Sequence, residues 1–514
     1  LEMTGFFTKA DYTQSPDSEN NPLIMTLPDF SVFSAPALSE QLLRLVVVPA
    51  KDAPKRDKAK FLKELPRSLF VPTVHHYTLF KTLDSLIRQG YKNRNPNNVM
   101  AKQFMRKAGT TLEAKLQDFG TDYRDGFSAT LVGVSGNGKT YSVSNLLRYY
   151  PQVIEHYDPE YVPSHFTQVV YLRVNCPDDG SPKSLCTEII AELSRVTKEP
   201  YSENLSTRIS TSRLRLQIAQ LMNVHKVGLL VIDEIQNLVN LRRNKEELFN
   251  FIVTLSNTLN VPLLFIGTPK LMKLLESNLR TDRRLGSQGW LKWDRLEKDS
   301  EDWKLFMKHL WNCSVLAGDP NVMPATVNEA LYACSQGIVD ILIRLFVTTQ
   351  INALIRMPNN KGQTTVEGIK WTFKESFTNV SEIIRAIANN DLESMSKYED
   401  VRMPEERFTQ LLSNKMETVQ SQESAPIPEI PPIHDTIIRL LHQMGVAVNV
   451  RLDTEIRKLL LANPNIDVPE AMTHILKMEY PTPRESDPQA DVCTAKEKPK
   501  KTLPSKTQFP ITEL

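Results

Sequence analysis

The sequence predicts an α/β protein built on a parallel β-sheet, with helical regions on either side of it in the chain. Two observations carry the prediction. Between residues 127 and 268, short apolar β-branched runs alternate with longer amphipathic ones. The apolar runs are nearly continuous, which suits strands of a parallel sheet covered on both faces. The first run also leads straight into "LVGVSGNGKT" at 131–140, a glycine-rich loop between a strand and a helix.

The elements follow in order. Residues 1–57 carry "SPDSENNP" and "SAPALS", turn-rich text expected to be an extended, partner-binding arm with at most short helices. Residues 58–125 read as a helical extension. There "YTLFKTLDSLIRQGY" sets Leu79, Leu83, Leu86 and Ile87 on one face, Gly90 is the expected stop, and Met100–Phe119 is a second helix. Residues 126–275 form the core, with strands at "FSATLVGV" (127–134), "TQVVYLRV" (167–174), "VGLLVIDE" (227–234) and "VPLLFIG" (261–267). The segments between them, such as "SLCTEIIAELSRV" and "ELFNFIVTLSNTL", have helical spacing. Residues 276–395 are expected to be an all-helical lid, 396–432 a proline- and polar-rich linker, and 433–480 a small helical unit. The last stretch, 481–514, is basic and proline-containing, and is expected to order only on binding a partner.

Composition excludes several classes. At 514 residues the chain exceeds one ordinary core, and 41% hydrophobic with 24% charged residues is a globular balance. A net charge of +2 requires any nucleic-acid surface to be a local patch. The five cysteines (Cys176, Cys186, Cys313, Cys334, Cys493) are odd in number and lack CxxC spacing, which argues against a disulfide framework or zinc site and fits a reducing cytoplasm. No apolar run approaches the ~20 residues of a membrane span. The opening "LEMTGFF" has no basic segment followed by an apolar one, so no secretory signal is expected. The nine histidines show no paired metal-ligand spacing.

The loop fits G-x-x-x-x-G-K-[ST] through Gly133, Gly138, Lys139 and Thr140. Its glycines let backbone N–H groups face phosphate oxygens, and the helix start adds partial positive charge. Gly133, Ser135, Gly136, Asn137, Gly138, Lys139, Thr140 and Tyr141 are therefore the candidate nucleotide contacts. Lys139 would reach the β/γ-phosphates, and the Thr140 hydroxyl would ligate Mg²⁺. Downstream, "GLLVIDEIQNL" delivers Asp233 and Glu234 at the carboxyl end of a buried strand. Asp233 would hold the Mg²⁺ shell, and Glu234 would orient or deprotonate the attacking water. Thr268 in "LLFIGTPKL" ends a strand, either touching the γ-phosphate or serving ordinary turn chemistry before Pro269. Arg280, Arg283 and Arg284 in "ESNLRTDRRLG" are either transition-state arginines reaching a neighbouring subunit or a solvated helix end.

The order of motifs resembles an AAA+ ATPase with Walker A and Walker B elements. Within that class the chain resembles the TnsC family, ATPase regulators of Tn seven-like bacterial transposons, and their relatives TniB and IstB. The residues that carry the likeness are "GYKNRNP" (90–96), "GNGKT" (136–140), "PQVIEHY" (151–157), "VVYLRVNC" (169–176), "GLLVIDEIQNL" (228–238), "VPLLFIGTPK" (261–270), "LRTDRR" (279–284) and "SQGIVDILIRLFV" (335–347). The resemblance covers about residues 70–395. It implies ATP with Mg²⁺ bound at subunit interfaces, ring or filament assembly on duplex DNA, and a bacterial, cytoplasmic, DNA-associated protein. The implied partners are a transposase of TnsA/TnsB type and a target selector of TnsD or TniQ type. It further implies a catalytic Glu234, a sensor at Thr268 and an arginine finger at Arg283 or Arg284. One departure stands out: after Gly337 the position where many AAA+ lids carry a sensor arginine is Asp340, with Arg344 one turn further on.

DNA contact would draw on Lys198, Arg208, Arg213 and Arg215, and on Arg242, Arg243 and Lys245; each is otherwise an ordinary surface charge. Tyr77, Tyr91 and Trp303 read as core and not as stacking residues. Two other functions remain compatible with the motifs: a helicase-loader-like ATPase, and a non-catalytic scaffold that holds ATP permanently.

Overall fold

The computed structural model describes residues 7–13, 20–30, 46–92, 94–98, 127–203, 208–239, 261–269, 289–356, 362–389, 405–424, 433–444 and 466–479, with single positions elsewhere. The helix expected at Met100–Phe119 lies outside these residues. The chain divides into a unit of residues 1–419 and a second of residues 420–514.

The first unit opens with β1 (Phe7–Lys9), α1 (Pro22–Met25), α2 (Lys55–Ser68) and α3 (Val74–Lys92). The expected arm is partly built into the fold. Leu23, Leu27 and Phe30 are fully buried beside α3, and Asn21 caps α1 through the Leu23 N–H. The four apolar residues expected on one face of α3 are all buried. Gly90 does not stop that helix, which continues to Lys92. Its role is close approach: a Cβ there would meet Pro262 at 2.7 Å and the Gly228 carbonyl at 2.8 Å.

The core follows: β2 (Ser128–Val132), α4 (Lys139–Leu147), β3 (Val153–His156), β4 (Phe166–Val169), β5 (Tyr171–Asn175), α5 (Pro182–Thr197), α6 (Thr211–Val224), β6 (Leu229–Asp233), β7 (Leu263–Gly267) and β8 (Trp290–Lys292). Five strands form a parallel sheet in the order β5-β6-β7-β2-β8. Its three central strands, β6, β7 and β2, bury both faces by simple alternation. Leu230, Ile232, Leu263 and Phe265 face α5 and α6, while Leu229, Val231, Leu264 and Ile266 face α3 and α4. β8 joins this sheet from the stretch expected to be lid. The run "TQVVYLRV" is two strands instead of one. Phe166–Val169 pairs antiparallel with β3 in a separate β1-β3-β4 sheet, and the chain changes sheets at Val170. There the Val170 N–H donates to Gln152 and the Val169 carbonyl accepts from Gly228.

Helices α7 (Glu301–Asn312), α8 (Ala325–Ser335), α9 (Val339–Arg356), α10 (Val366–Ser376) and α11 (Thr378–Ala388) make the helical layer around α9. Helix α2 belongs to that layer, with Leu62 and Leu65 in its core and Lys55 Nζ donating to the Leu354 carbonyl at 2.7 Å. The predicted helical extension is thus split, α2 packing with the helical layer and α3 on the sheet. Helix α12 (Glu405–Ser424) occupies much of the expected linker. Phe408, Leu412 and Val419 are buried along one side of it, a stripe too narrow to show through the polar composition. Trp303 and Tyr91 are fully buried and Tyr77 partly so, as core residues.

In the second unit, α13 (Ile433–Gln443) and α14 (Val468–Glu479) share an apolar core that includes Ile437, Leu441, Ile456, Leu460 and Ile475. No helix among the described residues is long and apolar enough to cross a membrane.

Candidate nucleotide site

The phosphate loop leaves β2 against the end of β8. Gly133 is required there: a Cβ would lie 2.0 Å from the Trp293 carbonyl oxygen. Trp293 also donates its N–H to Val132 at 2.7 Å and its indole Nε1–H to the Asn137 carbonyl at 2.8 Å. The loop is therefore gripped from the β8 side. Gly138, at φ +77°, is the N-cap of α4 and offers no side chain to its first-turn N–H groups. That leaves a helix start open to an anion. Lys139, only 8% exposed, donates to the Gly133 and Val134 carbonyls at 2.7 and 3.0 Å. Asn137 is buried in the same loop, and its side-chain amide has no hydrogen-bond partner among the described residues. From the helical layer, the Asp340 N–H at the first turn of α9 donates to the Gly136 carbonyl at 2.9 Å.

The acidic pair arrives on β6. Asp233 is buried, accepts the Thr140 hydroxyl on Oδ2 at 2.6 Å, and accepts the Glu234 N–H on Oδ1 at 2.8 Å. Thr140 and Asp233 thus present adjacent oxygen donors, the kind of set a hard Mg²⁺ ion takes. Glu234 is half-buried and sits at φ +54°. Gln236 Nε2 donates to Glu234 Oε2, and Gln236 Oε1 accepts the Thr268 N–H at 3.2 Å. Sequence reasoning attended to the Thr268 side chain and missed Gln236. The only local sign was an amide two residues beyond the acidic pair in "DEIQN".

The loop helix is also tied to the N-terminal extension. His76 accepts the Thr73 N–H on Nδ1 at 3.0 Å and bonds Ser142 Oγ through Nε2 at 2.9 Å, with its ring 4.9 Å from that of Trp293. Burial, with His75 nearby as a lesser cause, pushes the His76 imidazole down to about 3. Tyr141 donates its hydroxyl to the Arg67 carbonyl at 2.8 Å.

The other candidates scatter. Lys198 Nζ lies 4.4 Å from the Phe7 ring centroid, and Tyr201 nearby bonds His225 beyond the end of α6. Arg213 is exposed in the first turn of α6, at that helix's opposite end, and Arg215 lies over Phe251 at 5.9 Å. Arg208 is exposed just before α6. The structure does not bring Lys198 and Arg213 together. Arg344 is buried, with Nε 2.7 Å from Asp340 Oδ1 and its guanidinium 4.5 Å over the Phe408 ring. Arg242, Arg243, Lys245, Arg280, Arg283 and Arg284 lie outside the described residues. A cavity of about 450 Å³ at the outer edge of β5 is lined by Ser144, Arg148, Arg173, Glu188, Glu192 and Arg195 among others. No phosphate-loop residue lines it.

This sheet order, loop and acidic strand end define a P-loop core of the AAA type. The family described as "AAA domain" is matched by residues 124–275. Solved structures similar to the chain include the Walker-type ATPase PABY2304 of Pyrococcus abyssi, at 16% identity and TM-score 0.31, covering 62% of this chain and 88% of that one. The ORC2 protein of Aeropyrum pernix, solved as ADPNP–ADP complexes, is similar at 11% identity and TM-score 0.32, covering 63% and 95%. Cdc6p from Pyrobaculum aerophilum is similar at 14% identity and TM-score 0.31, covering 65% and 90%. No curated protein matches the chain in sequence.

Proposed function

We propose that the chain is an ATP-hydrolysing AAA+ regulator of transposition. In this reading it assembles with ATP on duplex DNA, links a target selector of TnsD or TniQ type to a transposase of TnsA/TnsB type, and disassembles on hydrolysis. One observation carries the enzymatic part: the Thr140 hydroxyl, the Asp233 carboxylate and the backbone of Glu234 are joined by direct hydrogen bonds. Lys139 and the N–H groups at the start of α4 would bind the phosphates. Thr140 and Asp233 would hold Mg²⁺, which supplies charge neutralisation at the β- and γ-phosphates. Glu234 would orient water and accept its proton. The motif order from "GNGKT" to "SQGIVDILIRLFV" supports the transposition part. Arg283 or Arg284 would complete the site from a neighbouring subunit, making turnover depend on assembly.

The test is electron microscopy with duplex DNA alongside phosphate release, for the wild type and Glu234→Gln in ATP, ADP or no nucleotide. The expected result is persistent DNA-bound rings or filaments for the variant in ATP, while the wild type turns over and disperses. ATP binding without assembly of either protein on DNA would overturn the DNA-regulator reading.

A further inference from the structure

We propose that Gln236 is a positioning residue for hydrolysis, fixing the Glu234 carboxylate by bridging it to Thr268 on the neighbouring strand. The proposal rests on the hydrolysis reading above. Its basis is a three-part contact. Gln236 Nε2 donates to Glu234 Oε2 and Gln236 Oε1 accepts the Thr268 N–H at 3.2 Å. Glutamine suits this post because one planar amide both donates and accepts; a carboxylate, ammonium or aliphatic chain of similar length does only part or none of it.

The surroundings make the bridge directional. The backbone of Glu234 is pinned in the left-handed region, with its N–H on Asp233 Oδ1 at 2.8 Å, so the remaining freedom of the acid lies in its side chain. Gln236 takes up Oε2 and leaves Oε1 for water. Gln236 itself stands in a short 3-10 turn, Ile235–Val239, fixed on both sides. Ile235 is buried, and Asn237 Nδ2 donates to the Cys176 carbonyl at 3.1 Å and to Asp178 Oδ1 at 3.0 Å.

The bridge also reaches the phosphate loop. In the sheet, β7 lies between β6 and β2, so its tip stands between the acid and the loop. The Gly133 N–H donates to the Gly267 carbonyl at 3.3 Å, one residue before Thr268. Gly133, the Gly267–Thr268 peptide, Gln236 and Glu234 therefore form one bonded series from loop to acid.

The experiment measures single-turnover ATP hydrolysis and ATP affinity on the full chain with duplex DNA. The proteins are the wild type, Gln236→Leu, Gln236→Glu, Glu234→Gln and the double variant Glu234→Gln/Gln236→Leu. Gln236→Leu is expected to lower the rate roughly 10–100-fold, as misplacement of a reacting group does, with ATP affinity essentially unchanged. Gln236→Glu keeps the acceptor for Thr268 but loses the donor to Glu234, and should be similarly slow. Because Gln236 acts through Glu234, adding Gln236→Leu to Glu234→Gln should cost nothing further. Wild-type rates in Gln236→Leu, a parallel loss of ATP affinity, or losses that multiply in the double variant would each overturn the positioning role. A wild type no faster than Glu234→Gln would instead bring down the hydrolysis reading, and this role with it.

Discussion

Acidification should loosen the joint between the N-terminal extension and the phosphate-loop helix, because His76 is buried there in its neutral form. The Thr73 N–H donates to Nδ1, so the ring proton sits on Nε2 and faces Ser142. Protonating Nδ1 would break the Thr73 bond and bury a charge. The folded value, about 3, lies below the ordinary 6.5, so between those values the unfolded chain binds the extra proton. Stability from this group is complete above 6.5 and falls as pH drops below it. At pH 5.5 the loss is on the order of 1 kcal/mol. His156 and His225, both held at about 4 by burial, add losses of the same sign and order. The assay is urea unfolding at pH 7.5 and 5.5, followed by tryptophan fluorescence. In His76→Gln the drop between the two pH values should be smaller than in wild type by an amount on the order of 1 kcal/mol. An unchanged drop, or a His76 imidazole resonance that titrates near 6.5, would refute the reasoning.

Other outcomes are equally direct. Gly133→Ala drives a methyl to 2.0 Å from the Trp293 carbonyl, and the displaced strand end should cost about 3 kcal/mol, read as a lowered Tm with loss of ATP binding. Asp319 is buried in the helical layer and accepts from Thr364 N and Oγ1, Ser314 Oγ and Gln350 Nε2. Asp319→Ala leaves the Thr364 N–H unmatched, while Ser314 and Gln350 still bond one another, and should destabilise by about 2–3 kcal/mol in calorimetry. Burial pushes the thiols of Cys186 and Cys334 up to about 12 and that of Cys313 to about 11. In the native chain at pH 8, all three should stay unlabelled by a disulfide reagent that labels them fully in urea, as peptide mapping would read.

The parallel core was legible because its signals are local. A strand covered on both faces is apolar along most of its length, and Leu229–Ile232 and Leu263–Ile266 state this without reference to anything distant. The phosphate loop is likewise a short-range object, since backbone curvature and a helix start are set by ten consecutive residues. The acidic strand end was legible for the same reason. What the tertiary structure decided is which distant groups meet. The register β5-β6-β7-β2-β8 sets the tip of β7 beside β6, and only then does Gln236 find Thr268, 32 residues away. The change of sheets at Val170, the departure of α2 from α3, the hold of Phe7 on Lys198 and the tie of His76 to Ser142 arise in the same way. Periodicity specifies which face of an element is buried; the order in which elements pack specifies what that face, and every polar side chain on it, is buried against.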